Sequence, residues 1–97
     1  MSLTAKQKNY LLALARHRQA IIGIGAAGFT EPALTEVDHA LARHELLKIR
    51  LPLMNRNLRE AILTQICQTL HAELIQSIGH VVVFYRRAEN PKITFPV

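Results

Sequence analysis

The sequence predicts an α/β two-layer sandwich, with helices packed on a four-stranded mixed sheet in the order α-β-α-β-α-β-β. Three observations carry that prediction. Apolar residues recur at helical spacing in three segments, each with a capping side chain near its start. Short runs rich in Ile, Leu and Val stand between and after those segments. A Gly79-His80 step joins the last two runs, whereas the earlier runs are separated by helices. The first two connections are therefore expected as right-handed parallel crossovers, and the last two strands as an antiparallel pair.

Residues 4–18 read as the first helix. Thr4 can cap it, Leu3, Tyr10, Leu11 and Leu14 share one arc, and Lys6, Lys8 and Arg16 fall outside that arc. Residues 20–24 are a short apolar strand, and Gly25-Ala26-Ala27-Gly28 breaks it. The second helix begins at Thr30 as N-cap, with Glu31 favouring the positive end of the helix dipole and Pro32 tolerated in the first turn. Leu34, Val37 and Leu41 form its apolar stripe; Glu36, His39 and Arg43 lie opposite. Residues 45–53 alternate, with Leu47, Ile49 and Leu51 pointing one way and Lys48 and Arg50 the other, and Pro52 marks the end or an edge of this strand. Asn57 followed by Glu60 resembles a capping box and opens a third helix with the stripe Leu58, Ile62, Ile66 and Leu70. Two strands, over 73–78 and 81–86, then flank a two-residue turn with glycine first, as type II′ requires. The tail from Glu89 onward, with Asn90-Pro91 and Pro96, is expected to be irregular.

Ninety-seven residues fit one domain, 1–97, and exclude a two-domain enzyme. Tryptophan is absent and aromatics are 5%, so the core must be aliphatic. No apolar stretch approaches the roughly 20 residues of a membrane span, and Arg16-His17-Arg18 stands where a signal peptide would need small residues. The single cysteine, Cys67, excludes an internal disulfide and fits a reducing compartment, so a cytoplasmic protein is expected. The net charge of +5 points to an anionic partner. The charge is lopsided: residues 30–45 carry Glu31, Glu36, Asp38 and Glu45 against Arg43, a net −3, which leaves +8 for the rest of the chain. That distribution fits phosphate contacts better than a uniformly solvated surface.

The glycine loop has two functional readings. Taken literally, Gly23-Ile24-Gly25-Ala26-Ala27-Gly28 is a dinucleotide fingerprint. Its context is wrong: Gly23 lies inside the strand, a helix already precedes it, and Leu51-Pro52-Leu53-Met54 stands where the ribose-binding acid belongs, Glu45 being at the other end of that strand. The second reading uses only Gly25 and Gly28. A G-x-x-G turn opening a helix lets an RNA backbone approach main-chain N–H groups, because glycine permits positive φ and carries no Cβ to block the nucleotides. A plain tight turn, with Phe29 stapled onto Leu34, is the structural alternative.

Three blocks carry a resemblance. They are Ile22-Gly23-Ile24-Gly25-Ala26-Ala27-Gly28-Phe29-Thr30-Glu31, His44-Glu45-Leu46-Leu47-Lys48-Ile49-Arg50, and Ile78-Gly79-His80-Val81-Val82-Val83-Phe84-Tyr85-Arg86. With Leu3-Thr4-Ala5-Lys6-Gln7-Lys8 and Lys92-Ile93-Thr94-Phe95-Pro96, they resemble the CRM domain (chloroplast RNA splicing and ribosome maturation) in its stand-alone bacterial YhbY-like form. The resemblance implies a fold similar to the C-terminal domain of translation initiation factor three. It also implies RNA binding through the G-x-x-G loop and a nearby basic surface, and association with precursors of the large ribosomal subunit. Two departures stand out. Both positions between the glycines are alanine, where the family often has a basic or polar residue, and His80 stands where a basic residue is common.

No enzyme constellation emerges. The acids cluster on the second helix as a solvated face, the five histidines include no H-x-x-x-H pair, Cys67 lies on an apolar face, and there is no Walker loop. No catalytic residue, metal site or cofactor is expected, and neither a membrane nor a small-molecule substrate. The expected function is RNA binding, with ribosomal RNA of the large-subunit precursor as partner and a role in ribosome assembly. The RNA-contacting residues would be Gly25, Ala26, Ala27, Gly28 and Thr30 at the loop, with Lys48, Arg50, Arg86, Lys6 and Lys8 supplying salt-dependent attraction. A small dinucleotide-binding protein and a protein-only ribosome-associated adaptor are the alternatives.

Overall fold

In the computed structural model, which describes residues 3–18, 22–24, 30–52 and 54–95, each helix begins at a Thr or Asn whose side chain closes the first turn. Helix α1 (Ala5–Ala15) opens with a capping box: Gln7 N–H donates to Thr4 Oγ1 at 3.1 Å, and Thr4 N–H donates back to Gln7 Oε1 at 2.9 Å. Residues 16–18 prolong it as a tightened turn, so the regular helix is shorter than the pattern over 4–18 suggests. Helix α2 (Glu31–His44) is capped by Thr30 and accommodates Pro32 in its first turn. Helix α3 (Arg56–Leu70) is capped by Asn55, whose Oδ1 accepts from Leu58 N–H at 2.8 Å. The expected cap, Asn57, lies inside the helix. Asn55 is an equally competent acceptor with extended backbone, and starting there adds helical residues.

The strands are β1 (Ile22–Gly23), β2 (Leu46–Arg50), β3 (Glu73–Ile78) and β4 (Val81–Tyr85), arranged β1-β2-β4-β3. β1 runs parallel to β2, while β4 is antiparallel to both β2 and β3. The expected mixed sheet is therefore present. The α3 crossover sets β3 parallel to β2 but one strand away, and β4 returns through the hairpin to fill the gap. Gly79 has φ +58° and His80 does not share the positive sign, as the first and second turn residues of type II′ require.

Two cores lie on opposite faces of this sheet, so helices flank it on both sides instead of forming the single helical layer of the expected two-layer sandwich; the alternate strand positions Leu46, Val83 and Tyr85 are apolar as well and need their own cover. Leu47, Ile49, Leu51, Val82 and Phe84 join α2 and α3 through Val37, Leu41, Ile62 and Ile66. Leu46, Val83 and Tyr85, the alternate positions, meet Leu11 and Ala15 of α1. Burying each large aliphatic side chain is worth about 1.5–3 kcal/mol, and among the described residues Phe84 is the one aromatic in the otherwise aliphatic core under α2 and α3. The α1 face is also covered by the C-terminal tail. Ile93 and Phe95 pack there, with the Phe95 ring 5.8 Å from both Tyr10 and Tyr85. The tail is irregular as expected, yet it is a built part of the fold. A bulge at Ile75 lets the edge strand turn that side chain onto the same core.

Candidate nucleic-acid interface

Topology gathers several features at one end of the sheet. β1 and β2 run in the same direction, with Gly23 opposite Arg50, and Ile24 N–H donates to the Arg50 carbonyl at 2.9 Å. The chain thus enters the G-x-x-G segment at the Arg50 end of the sheet. Gly25, Ala26, Ala27 and Gly28 lie outside the described residues, as does the expected Phe29–Leu34 staple. Thr30 follows, exposed, at the start of α2. α3 starts from the same end, because Asn55 follows the exit of β2. The hairpin tip completes the group: Leu51 N–H donates to the His80 carbonyl at 2.7 Å, and His80 Nδ1 lies 3.1 Å from the Leu51 carbonyl oxygen.

The predicted cations separate into three groups. Arg50 is exposed on the α1 side of the sheet, and among the described residues its side chain has no recorded hydrogen bond or salt bridge. Lys48, two residues back on the same face, is half-buried, and its Nζ donates to the Arg18 carbonyl at 2.6 Å. Arg18 in turn donates to the carbonyls of Leu46 at 2.9 Å and His44 at 3.3 Å. Lys48 is therefore a cation fixed in place beside Arg50. Lys6 and Lys8 are exposed but lie towards the other end of α1, about 12–18 Å along the helix from the turn that meets Lys48. Arg86 sits at the opposite end of the sheet from Arg50, where β4 leaves the core. Its guanidinium donates to Asp38 Oδ1 at 2.6 Å, the Asp38 carbonyl at 2.8 Å and the Leu70 carbonyl at 3.0 Å. It ties β4 to α2 and to the end of α3.

The acids also rearrange. Glu31 and Glu36 are exposed, as a solvated face requires. Asp38 is spent on Arg86, and Glu45 is fully buried at the end of α2. Its carboxylate accepts from the backbone N–H groups of Ala88, Lys92 and Ile93. Burial pushes its pKa up, but those three donors and the nearby Lys92 charge outweigh it and hold the carboxyl below its usual range. Sequence reasoning missed this clamp because its partners lie more than forty residues away. Arg18 was missed for a related reason: Arg16-His17-Arg18 carries a local signal of charge but none of the carbonyls it reaches.

Cys67 is half-buried against the α2–α3 core, and burial is the main influence raising its thiol pKa. Among the described residues no cluster of His, Cys, Asp and Glu could hold a metal ion. None of the described helices is long and apolar enough to cross a membrane.

The family model of the CRS1/YhbY (CRM) domain matches residues 3–86. The chain belongs to the CRM family. An RNA-binding protein of Haemophilus influenzae is 37% identical over 95 residues, covering 98% of this chain and 96% of its own length. A protein of Pseudomonas aeruginosa, named a probable RNA-binding protein, is 37% identical over 92 residues, covering 95% of this chain and 86% of its own. The solution structure of a hypothetical protein from Staphylococcus aureus, proposed to bind RNA, superposes with a TM-score of 0.80 at 33% identity, covering 98% of this CRM chain and 100% of that one.

Proposed function

We propose that this CRM domain binds structured RNA through the Arg50 end of its sheet, and that its RNA is large-subunit ribosomal RNA in a precursor particle whose assembly it assists. The convergence of Arg50, Lys48, the exit of β1 into the G-x-x-G segment and the start of α2 carries the reading. Backbone N–H groups around Gly25–Gly28 and Thr30 position the phosphates, aided by the positive end of α2. Arg50 and Lys48 supply the salt-dependent attraction. Lys6 and Lys8 extend the basic field at a distance, and Arg86 holds the frame together. The names of the relatives support RNA as the ligand. The ribosomal assignment rests on the character of the family.

The test is a salt titration of binding to a large-subunit ribosomal RNA fragment, with duplex DNA as competitor. The expected result is a preference for RNA of at least about tenfold, with log affinity falling linearly against log salt. Equal, weak binding to both polymers would overturn the reading in favour of a protein-only adaptor. Salt-insensitive, saturable binding of a dinucleotide would overturn it in favour of the fingerprint.

A further inference from the structure

The α1-side face of the sheet is covered only in part. Among the described residues, one complete row across all four strands stays open: Gly23 pairs with Arg50, Arg50 with Val81, and Val81 with Ile78. Strand alternation puts these four on the face opposite α2 and α3, since Ile22, Ile24, Ile49 and Val82 fill that other core. Gly23 and Arg50 are exposed, Val81 is half-buried, and Ile78 is 64% exposed, more than any other exposed large hydrophobic among the described residues. Four strands span about 14 Å at the usual interstrand spacing. The next row brings Lys48 opposite Val83, whose partner is Gln76, and contains no carboxylate. Glu73, on the row after that, lies at the end closed by α1 and the tail.

An exposed isoleucine on a glycine-and-arginine row fits no internal requirement of the fold. A Cβ on Gly23 would meet nothing within 4 Å, so this glycine is not needed for packing between described atoms, and its absent side chain leaves the row flat beside Arg50. A flat strip with an apolar end, a guanidinium in the middle and a second cation behind it matches an unpaired nucleotide strand. Bases are apolar on their faces and stack on guanidinium planes, while phosphates require the cations. A carboxylate-bearing protein segment lying across the row would find the cations but no backbone donors at its middle, since Arg50 and Val81 belong to the two central strands, whose backbone groups are paired on both sides.

We propose that the row Gly23–Arg50–Val81–Ile78 is a platform for unpaired nucleotides of the RNA bound at the G-x-x-G end, so that recognition extends from the loop across the sheet. This rests on the proposed RNA-binding function. One base lies against Ile78 and Val81, another stacks on Arg50, and Lys48 meets the phosphate between them.

Two variants test the platform in the full chain, with single-stranded oligouridine and an RNA duplex as probes. Ile78→Thr keeps the β-branched shape but removes apolar reach, and is expected to weaken oligouridine binding about three- to fivefold with the salt slope unchanged. Ile78→Tyr adds an aromatic face and is expected to tighten it by a similar factor, a gain that partial unfolding cannot imitate. Wild-type affinity in both variants, or equal effects on the duplex, would overturn the platform while leaving RNA binding at the loop intact. Failure of the unmodified chain to bind either probe in a salt-dependent way would overturn the function itself and the platform with it. Unchanged RNA affinity accompanied by altered self-association in sedimentation would assign the face to a second copy of the chain, which also overturns it.

Discussion

Glu45 combines two features that are each unfavourable alone: a backbone with φ +61° and a carboxylate with no exposed surface. A non-glycine residue in that region stores strain, and an unpaired buried carboxylate costs far more. Both persist because Ala88, Lys92 and Ile93 present three backbone donors to the one side chain, which thereby fastens the tail across the α1 face. The folded-state pKa is lowered from an ordinary value of 4.5, so the clamp contributes fully above that value and is lost as pH falls through the lower, folded value. Glu45→Gln replaces one acceptor oxygen with a donor facing donors. It is expected to cost roughly 2–3 kcal/mol at neutral pH, a drop on the order of 10 °C or more in Tm. Thermal melts from pH 7 to about pH 3 should also show a flatter acid limb in the variant than in the parent. An acid limb of unchanged steepness would place the titration on another carboxyl group.

Helix starts show how far local sequence can be read and where it stops. Thr4 and Thr30 were identifiable because each stands directly before a periodic apolar run. α3 had two asparagines two residues apart, and the choice between them depends on the direction of the incoming chain, which no local pattern carries. Asn55→Ala is expected to cost about 1 kcal/mol, or roughly 4–8 °C in Tm. Asn57→Ala should change stability by less than about 0.5 kcal/mol, since it replaces Asn with a better helix former inside the first turn. Equal losses in the two melts would mean that the helix also starts at Asn57 in solution. The strands divide in the same way. The alternation of Leu47, Ile49 and Leu51 against Lys48 and Arg50 was legible from period two alone and holds in the structure. The bulge at Ile75 and the insertion of β4 between β2 and β3 were not, because both are set by pairing across the sheet.

The whole molecule has two chemically different ends, and charge alone does not distinguish them in the sequence. Arg50 and Arg86 read identically along the chain, each an arginine at the end of an apolar strand. The antiparallel pairing of β2 with β4 sends them to opposite ends. At one end Arg50 projects from the sheet beside the exit of β1, with no recorded partner among the described residues. At the other, Arg86 satisfies Asp38 and two carbonyls, and its side chain is only 21% exposed. A cation already surrounded by its own acceptors has little left for phosphate, whereas its removal leaves those acceptors poorly solvated. The two arginines should therefore separate binding from stability. Arg50→Gln is expected to leave Tm within the equivalent of about 0.5 kcal/mol and to lower the salt slope of RNA binding by about 1. Arg86→Gln should cost roughly 2 kcal/mol of stability while leaving the slope where it was. Paired melts and salt titrations of the two variants measure both quantities on the same proteins. A lowered slope in Arg86→Gln, with its fold intact at the titration temperature, would move the RNA to the tail end and reverse that polarity.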